Sequence, residues 1–345
     1  MTSKTADNIF EPPKKILVFG GTGTIGSATV NELLSRRYAV TCFIREKPNT
    51  DVSLTRGNVA TSPRSCLPKD VEIRKGEVLN KDSIATDAFG STKFDAVISC
   101  MASRTGIPID AWAIDHDAHK NILDAAIEKN CPRFVLLSAM CVQKPRLAFQ
   151  QAKLAFEKEL RASGIHYSIV RPTAFFKSLS GQVDRVRRRK PFVLFGDGTM
   201  TSTKPISDRD LASFIVDCLT DPKKHNQVLP IGGPGPALTP RQQGEELFAL
   251  LNRQPKFQHA PLFLLDSIIA VLSALGTVVP SMKNKAELAR IGRYYATESM
   301  LLMDRAAGVY NATITPSTGS DTLIDYYKEL IAANAKAELG DHQVF

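Results

Sequence analysis

One glycine-rich stretch near the start of the chain limits its fold more than any other feature. Residues 16–26 read ILVFGGTGTIG. The four apolar residues predict a short buried strand, and the apolar spacing that resumes after the glycines predicts a helix. Gly21, Gly23 and Gly26 therefore form a G-x-G-x-x-G motif between a strand and a helix, as a dinucleotide-binding loop requires.

Each glycine of this motif has its own expected task. Gly21 allows a tight turn, Gly23 lets a pyrophosphate approach the backbone, and Gly26 lets the helix pack closely on the strand. The start of the helix supplies free N–H groups and a partial positive charge. A glycine-rich turn without a ligand is the alternative, and the flanking elements disfavour it. The expected cofactor contacts cover the whole loop: Gly20, Gly21, Thr22, Gly23, Thr24, Ile25 and Gly26.

The end of the second predicted strand, residues 39–44, indicates which dinucleotide is bound. Arg45 stands there, about 20 residues after the last glycine, where an NAD enzyme would carry an acidic residue for the ribose hydroxyl. An arginine can instead pair with a 2′-phosphate, which favours NADPH. Arg36 and Arg37, at the end of the first helix, are expected to help. The alternative for Arg36 and Arg37 is that they are solvated cations at the end of the helix. Glu46 beside Arg45 slightly weakens the preference for NADPH.

Strand and helix patterns then alternate along most of the chain. A polar loop covers residues 47–70, and helices are expected at 114–129 and 147–162. Further strands are predicted at residues 71–74, 94–100, 133–138, 166–171 and 227–231. This alternation predicts an α/β protein, a Rossmann-type doubly wound parallel sheet.

The character of the chain changes after the last of these strands. Residues 14–237 are expected to form the NADP-binding domain, with some substrate-side loops. Residues 238–330 are expected to form a mainly helical substrate-side cap without further strands. Residues 1–13 and 331–345 are expected to be flexible termini.

Composition narrows the choice of partners and compartment. The formal charge of +9 suits anionic ligands, whereas no nucleic-acid motif is present, so no nucleic-acid partner is expected. Six cysteines without a CxxC pair indicate reduced structural thiols and no protein metal site. The first 15 residues lack the apolar core of a signal peptide and are short and acidic for a transit peptide. A bacterial cytoplasmic protein is expected, with membrane association, and a plastid is the alternative.

Two further stretches leave alternatives open. Residues 262–279 are apolar with polar interruptions and predict a buried cap helix, with a membrane-facing amphipathic surface as the alternative. The basic run at 185–190 predicts a solvated helix face; contact with a substrate propionate or anionic lipid is the alternative. His116, His119 and His166 show no metal-ligand spacing and suit packing or surface roles.

A catalytic frame follows the fifth strand. Ser138 ends that strand, Phe149 and Lys153 lie on the next helix, and Val-Arg-Pro-Thr follows at 170–173. This set resembles an atypical short-chain dehydrogenase/reductase, whose standard members use a serine with a Tyr-x-x-x-Lys pair. Phe149 stands where that tyrosine would be and cannot exchange a proton, so the usual alcohol–ketone chemistry loses its acid–base group. Ser103 and Arg104, after the fourth strand, are expected near the dinucleotide.

A narrower resemblance rests on five longer stretches, at residues 134–145, 169–179, 195–198, 226–235 and 291–301. With the Phe-x-x-x-Lys frame they resemble the divinyl chlorophyllide 8-vinyl reductases of chlorophyll and bacteriochlorophyll synthesis. The resemblance implies NADPH-dependent reduction of the 8-vinyl group of a divinyl magnesium tetrapyrrole, chlorophyllide or protochlorophyllide, to ethyl. The magnesium would belong to this small-molecule substrate.

The resemblance also suggests roles for individual residues. Lys153 would bind the nicotinamide ribose, Ser138 would assist, and Phe149 would form an apolar wall or only pack the helix. Water, Lys153 or one of two tyrosines would supply the proton. The residues expected to touch the substrate are Phe175, Phe176, Tyr294 and Tyr295. The rival interpretations are an isoflavone-reductase-like alkene reductase and an NADPH-binding redox sensor or assembly protein without turnover.

Overall fold

The computed structural model describes residues 14–45 and 67–333. Its strands are β1 Lys15–Phe19, β2 Ala39–Arg45, β3 Glu72–Gly76, β4 Ala96–Ser99, β5 Arg133–Leu137, β6 His166–Pro172, β7 Phe192–Phe195, β8 Gln227–Ile231, β9 Phe257–Ala260, β10 Met303–Asp304 and β11 Val309–Tyr310. Seven of them form one parallel sheet in the order β3-β2-β1-β4-β5-β6-β8. The order reverses direction between β1 and β4, which confirms the predicted doubly wound α/β fold.

Helices cover both faces of this sheet and build the C-terminal part. They are α1 Thr24–Ser35, α2 Lys81–Ser83, α3 Pro108–Ala111, α4 His119–Glu128, α5 Ala148–Ala162, α6 Phe176–Leu179, α7 Val183–Arg187, α8 Asp208–Asp217, α9 Pro240–Leu250, α10 Leu262–Leu275, α11 Pro280–Thr297 and α12 Leu323–Ala332. Two π-helical segments, Ile84–Phe89 and Trp112–Ala118, continue α2 and join α3 to α4.

Alternate residues of each central strand enter different cores. Ile16 and Val18 of β1 pack in the core that α1 and α8 cover, whereas Leu17 and Phe19 pack on the other side with Phe156 of α5. Both faces are buried, so such strands are apolar throughout rather than at every second position. This is why a continuous apolar run in the sequence was a reliable strand signal.

The glycine loop packs against the end of the strand more tightly than the motif alone indicates. The positive φ of the loop, +76°, belongs to Gly20, and Gly21 lies inside the tight turn that the Gly23 N–H closes on the Gly20 carbonyl. Gly21 is also required for space, because a Cβ there would lie 2.8 Å from Cys42 Sγ. A Cβ on Gly26 would lie 2.0 Å from the Gly20 carbonyl oxygen, which confirms the predicted close approach of α1 to the strand.

The C-terminal region contains strands that the sequence pattern did not indicate. β9 pairs with β7 in parallel, and β10 pairs with β11, so the expectation of no strand after residue 238 is wrong. The β7–β9 pair covers a third core, built from residues 176–194 and 247–331. Packing of Phe257 against Phe192 and Phe248 stabilises a four-residue strand in which only Phe257 is a large apolar residue. The expected division at residue 238 therefore passes through a shared core.

Helix α10 departs from the sequence expectation. None of its 14 residues is buried, so the interpretation of residues 262–279 as a buried cap helix is wrong. The helix lies against α11, where the Arg293 guanidinium pairs with Asp266 and Arg290 donates to Ser273 Oγ at 2.8 Å. Its other side faces away from the protein, because no described element packs over it.

Some expectations fall on residues for which no structure is described. These are the termini at 1–13 and 334–345, most of the polar loop at 47–70, and the side chains of Glu46 and Cys66. The expected C-terminal boundary at residue 331 lies inside α12, which continues to Ala332.

The contact at Gly26 makes a prediction about stability. Gly26→Ala is expected to lower the free energy of unfolding by about 3 kcal/mol, because the added methyl group collides with a backbone carbonyl. Gly23→Ala is the matched control, since its Cβ would meet only the Gly20 carbonyl oxygen, at 3.5 Å. Urea unfolding of both variants tests this. A Gly26→Ala protein as stable as the control would contradict the packing.

Candidate functional site

The glycine loop lies at the carboxyl end of β1 and presents the start of α1. Gly23 caps the helix in an extended conformation without a side-chain cap, and its N–H donates to the Gly20 carbonyl at 3.1 Å. The N–H groups of the first turn that follow have no partner within a helix. The space above Gly23 is open enough for a Cβ, so the backbone here is accessible to a phosphate group. The loop therefore fits a dinucleotide pyrophosphate.

The side chains of the loop differ in what they can offer. Thr22 is exposed and Thr24 is half-buried, so their hydroxyls are accessible. Ile25 is buried in the first core, which leaves only its backbone for a ligand.

Arg45 is at the same edge of the sheet as the glycine loop. It is the exposed last residue of β2, which runs parallel to β1, and it is paired in register with Gly76 of β3. A phosphate on the ribose of a bound dinucleotide would meet its guanidinium without a burial cost. This placement agrees with the expected contact between Arg45 and a 2′-phosphate, and that contact stays a prediction.

The expected help from Arg36 and Arg37 is wrong. Both follow the end of α1, which is about 18 Å long, so they lie at the opposite edge of the sheet, where β2 begins. Arg36 is also engaged by Asp217 at 2.6 Å and by Glu32 at 2.7 Å.

A buried ion pair joins three elements of the site. Lys153 Nζ lies 2.8 Å from Asp115 Oδ1, and both side chains are almost fully buried. Asp115 also accepts hydrogen bonds from the Ser103 N–H at 3.2 Å and the Ser103 hydroxyl at 2.6 Å. Lys153 and Ser103, predicted from separate motifs, are thus brought together by a residue that sequence reasoning missed. Arg104 follows on the surface of the same loop.

Asp115 reaches this position because it lies in a π-helical segment. The wider turns at Trp112–Ala118 change which residues share a face, so ordinary helical periodicity could not identify Asp115. His119, which follows, donates from Nδ1 to the Ile114 carbonyl at 2.8 Å and accepts at Nε2 from the Ser99 hydroxyl at 2.9 Å. Burial lowers the pKa of His119 to about 4, so the ring is neutral near pH 7.

Helix α5 places three buried side chains of the candidate site on one face. Phe149, Lys153 and Glu157 are spaced by four residues, which places them one turn apart. The Ser138 hydroxyl donates to Glu157 Oε1 at 2.5 Å, and the Arg171 guanidinium pairs with the same carboxylate. Ser138 is therefore held by Glu157, a second residue that the motif search missed. The sequence signal that could have indicated this contact is Arg171, in the Val-Arg-Pro-Thr stretch at 170–173.

Phe149 occupies the tyrosine position of the frame and lies against an apolar cluster. The members of this cluster are Ala111, Cys141, Leu147, Phe149, Ile291, Tyr294 and Met300. The loop after β4 approaches it at Gly106, where a Cβ would lie 3.0 Å from Ile291 and 3.4 Å from Phe149. Helix α11 thereby contacts the catalytic frame directly.

The two tyrosines of α11 are held strongly in their protonated forms. The Tyr294 hydroxyl lies 2.9 Å from the Cys141 carbonyl and 3.0 Å from the Lys144 carbonyl, to which it can donate. Burial raises the pKa of Tyr294 and of Tyr295 well above the ordinary value. The Tyr295 hydroxyl lies 3.9 Å from Cys141 Sγ. Neither phenol is suited to donate a proton near neutral pH.

The two phenylalanines expected to touch the substrate point in different directions. Phe175 is half-buried beside the first core. Phe176 is buried in the third core, with its ring centroid 5.6 Å from that of Tyr326. The Phe176 side chain is therefore a core residue, and its expected contact with the substrate is not supported by this arrangement.

The described residues contain neither a metal-binding cluster nor a membrane-spanning helix. In residues 14–45 and 67–333, no group of three or more His, Cys, Asp and Glu side chains is arranged to hold a metal ion. Within the same ranges, every helix is too short or too polar to cross a membrane.

Comparisons with known proteins relate this site to a family. A family model described as NAD(P)H-binding matches residues 20–222. The chloroplastic divinyl chlorophyllide a 8-vinyl-reductase of Cucumis sativus is 48% identical over 96% of this chain and 79% of its own length. The protein of the same name from Arabidopsis thaliana is 46% identical over 94% and 79%.

A solved structure agrees on the fold. The NADPH-dependent quinone oxidoreductase of Escherichia coli, in complex with NADPH, superposes with a TM-score of 0.63 over 92% of this chain and 99% of its own. Its sequence identity is 16%, so this likeness concerns the fold alone.

The relatives correct one sequence expectation. The bacterial cytoplasm was expected as the location, whereas the similar plant proteins are named chloroplastic, which points to a plastid. The expected location was wrong because it rested on the absence of a recognisable leader in the first 15 residues.

Burial of His119 makes stability depend on pH. A pKa lowered from 6.5 to about 4 means that this group stabilises the folded state fully above pH 6.5. That contribution, about 3 kcal/mol, is lost progressively as the pH falls towards 4. Urea unfolding between pH 7 and pH 4 is expected to show the loss in the wild type and a smaller one in His119→Gln. Equal slopes for the two proteins would show that His119 is not the group responsible.

Proposed function

The chain belongs to the family of divinyl chlorophyllide a 8-vinyl-reductases, and we propose that it performs this reduction with NADPH, using Lys153 and the apolar face around Phe149. It is an NAD(P)H-binding oxidoreductase of chlorophyll biosynthesis that reduces the 8-vinyl group of its pigment substrate. The observation that carries the activity is identity near one half over almost the full chain. Participation in bacteriochlorophyll synthesis stays a prediction.

The cofactor would be held along the carboxyl edge of the sheet. The glycine loop fits the pyrophosphate, Arg45 would meet the 2′-phosphate, and Lys153 would bind the nicotinamide ribose. Ser103 and Arg104, in the loop after β4, would line the cofactor site at the same edge of the sheet. When bound, the reduced nicotinamide supplies a hydride equivalent to the substrate.

Phe149 suits the reduction of a carbon–carbon double bond. Such a reaction needs no acid placed against a carbonyl oxygen, so the tyrosine of the standard frame can be replaced by an apolar side chain. Phe149 and Ile291 would form a wall for a flat pigment, and Tyr295 packs against the same cluster. Phe175, half-buried beside the first core, would contribute further apolar surface. Exclusion of water by this wall would favour hydride transfer.

Reduction of the vinyl group also needs a proton on the carbon that does not receive the hydride, and few groups at the site could supply it. Tyr294 and Tyr295 are poor donors because burial raises the pKa of both hydroxyls. Lys153 carries three N–H donors and is fixed by Asp115 at the site. We therefore favour Lys153 or a water molecule that it orients, and Asp115 acts as a positioning residue.

Pigment turnover tests this function directly. Purified protein incubated with divinyl chlorophyllide is expected to give monovinyl product with NADPH and far less with NADH, as measured by chromatography. Tight NADPH binding without product would instead favour the sensor or assembly interpretation.

Arg45→Ala tests the cofactor assignment. The variant is expected to raise the KM for NADPH about tenfold or more and to leave the KM for NADH unchanged, because only NADPH carries the 2′-phosphate. Arg305→Ala, an exposed arginine in the β10–β11 turn, is the matched control. Equal loss with both cofactors would remove Arg45 from the phosphate site.

Lys153 requires a pair of variants, because removing it alone leaves the Asp115 charge buried and unpaired. Lys153→Met with Asp115→Asn is expected to fold, to weaken NADPH binding and to lower kcat about 100-fold. Asp115→Asn alone leaves the Lys153 ammonium buried without its counter-charge, so NADPH binding is first used to show that this variant folds. It is then expected to lose less activity than the double variant, with an altered pH profile. Unchanged turnover and KM in the double variant would exclude Lys153 from the reaction.

A further inference from the structure

Helix α10 exposes a continuous apolar stripe. Leu264, Ile268, Val271 and Leu275 recur at spacings of four, three and four residues, which places them on one face of the helix. Their exposed fractions are 48%, 40%, 58% and 50%. Phe263 beside the stripe is 69% exposed, and Val278 just after the helix is 83% exposed. We call these six residues the docking face.

The opposite side of α10 is apolar as well. Leu262, Leu265, Ile269 and Leu272 are half-buried against α11. A helix that is apolar on all sides is normally enclosed by protein or lipid, whereas α10 has protein on one side alone among the described elements. Large exposed apolar patches of this kind mark interaction sites.

The one charged side chain of α10 faces α11. Asp266 is the single charged residue between positions 262 and 279, and it pairs with Arg293 of α11. The docking face therefore contains no charged side chain that a low-dielectric partner would have to desolvate.

Exposed basic residues lie on the elements that precede and follow α10. At the beginning of the β7–β9 pair, one strand length before α10 starts, the basic run lies beside Lys256, because the Phe192 N–H donates to the Lys256 carbonyl at 2.8 Å. Arg188, Arg189 and Lys190 of that run are exposed. At the end of α10, Lys283 and Lys285 on the first turns of α11 are exposed. An exposed apolar stripe with cations on the adjoining elements complements an anionic lipid surface.

We propose that the docking face seats this protein on an anionic lipid membrane, with α10 lying parallel to the surface. At 14 residues the helix is about 21 Å long, shorter than the hydrocarbon core of roughly 30 Å, so it would lie in the interfacial region rather than cross it. The docking face enters the lipid, and the exposed basic residues of the adjoining elements contact headgroups.

The position of α11 connects this surface with the site. Its first turns carry Lys283 and Lys285, and its later turns carry Ile291 and Tyr294, which pack with Phe149. A flat apolar pigment could therefore pass from the lipid to the site along this helix; this last step rests on the proposed function, whereas membrane binding does not.

Vesicle co-sedimentation of the full chain tests the proposal. The probes are vesicles of phosphatidylcholine alone and vesicles with about 30 mol% phosphatidylglycerol, without pigment or nicotinamide. We expect at least about tenfold tighter binding to the anionic vesicles, weakened by salt. Ile268→Glu and Val271→Glu are each expected to reduce this binding about tenfold or more. Ile127→Glu on α4, equally exposed at 45%, is the matched control and should bind as the wild type does.

Three results would overturn the proposal. Failure to sediment with either kind of vesicle excludes a lipid partner, and equal binding to both kinds removes the role of the basic residues. A dimer in analytical ultracentrifugation that Ile268→Glu dissociates would assign the docking face to a second copy. NADPH binding by each variant reports that it is folded, and because no substrate is present, the result is independent of the vinyl reduction.

Discussion

The buried contact between Lys153 and Asp115 holds the two sides of the candidate site together. An ammonium and a carboxylate this deeply buried carry a large desolvation cost, which only close pairing and further hydrogen bonds offset. The Ser103 N–H and hydroxyl supply those bonds to Asp115. The loop after β4, the π-helical segment and α5 are therefore positioned by one electrostatic interaction.

The remaining parts of the site follow the geometry of α5. Its inner face carries Phe149, Lys153 and Glu157 in successive turns, so an apolar, a cationic and an anionic group stand in one row. Glu157 fixes Ser138 and Arg171 at the ends of neighbouring strands, while Phe149 contacts α11. The candidate site therefore has defined partners for each of these side chains, although an apolar residue stands at the tyrosine position of the standard frame.

Sequence patterns predicted the parts that depend on local chemistry. Continuous apolar strands and the glycine motif indicated the sheet and the loop, because fully buried parallel strands and close helix approach leave clear signals. Asp115 was missed because a π-helix breaks the usual helical period. β9 was missed because tertiary packing stabilises a short strand with a single large apolar residue. The exposure of α10 was missed because an apolar sequence does not say what covers it.

The third core has a consequence for how the chain can be divided. Phe176, Val186 and Phe192 come from the dinucleotide-binding side of the expected boundary, and Phe248 and Tyr327 come from the other side. A cut at residue 238 would leave half of one apolar interior on each fragment, with no partner to cover it. The expected boundary at residue 238 therefore does not separate two independent hydrophobic cores.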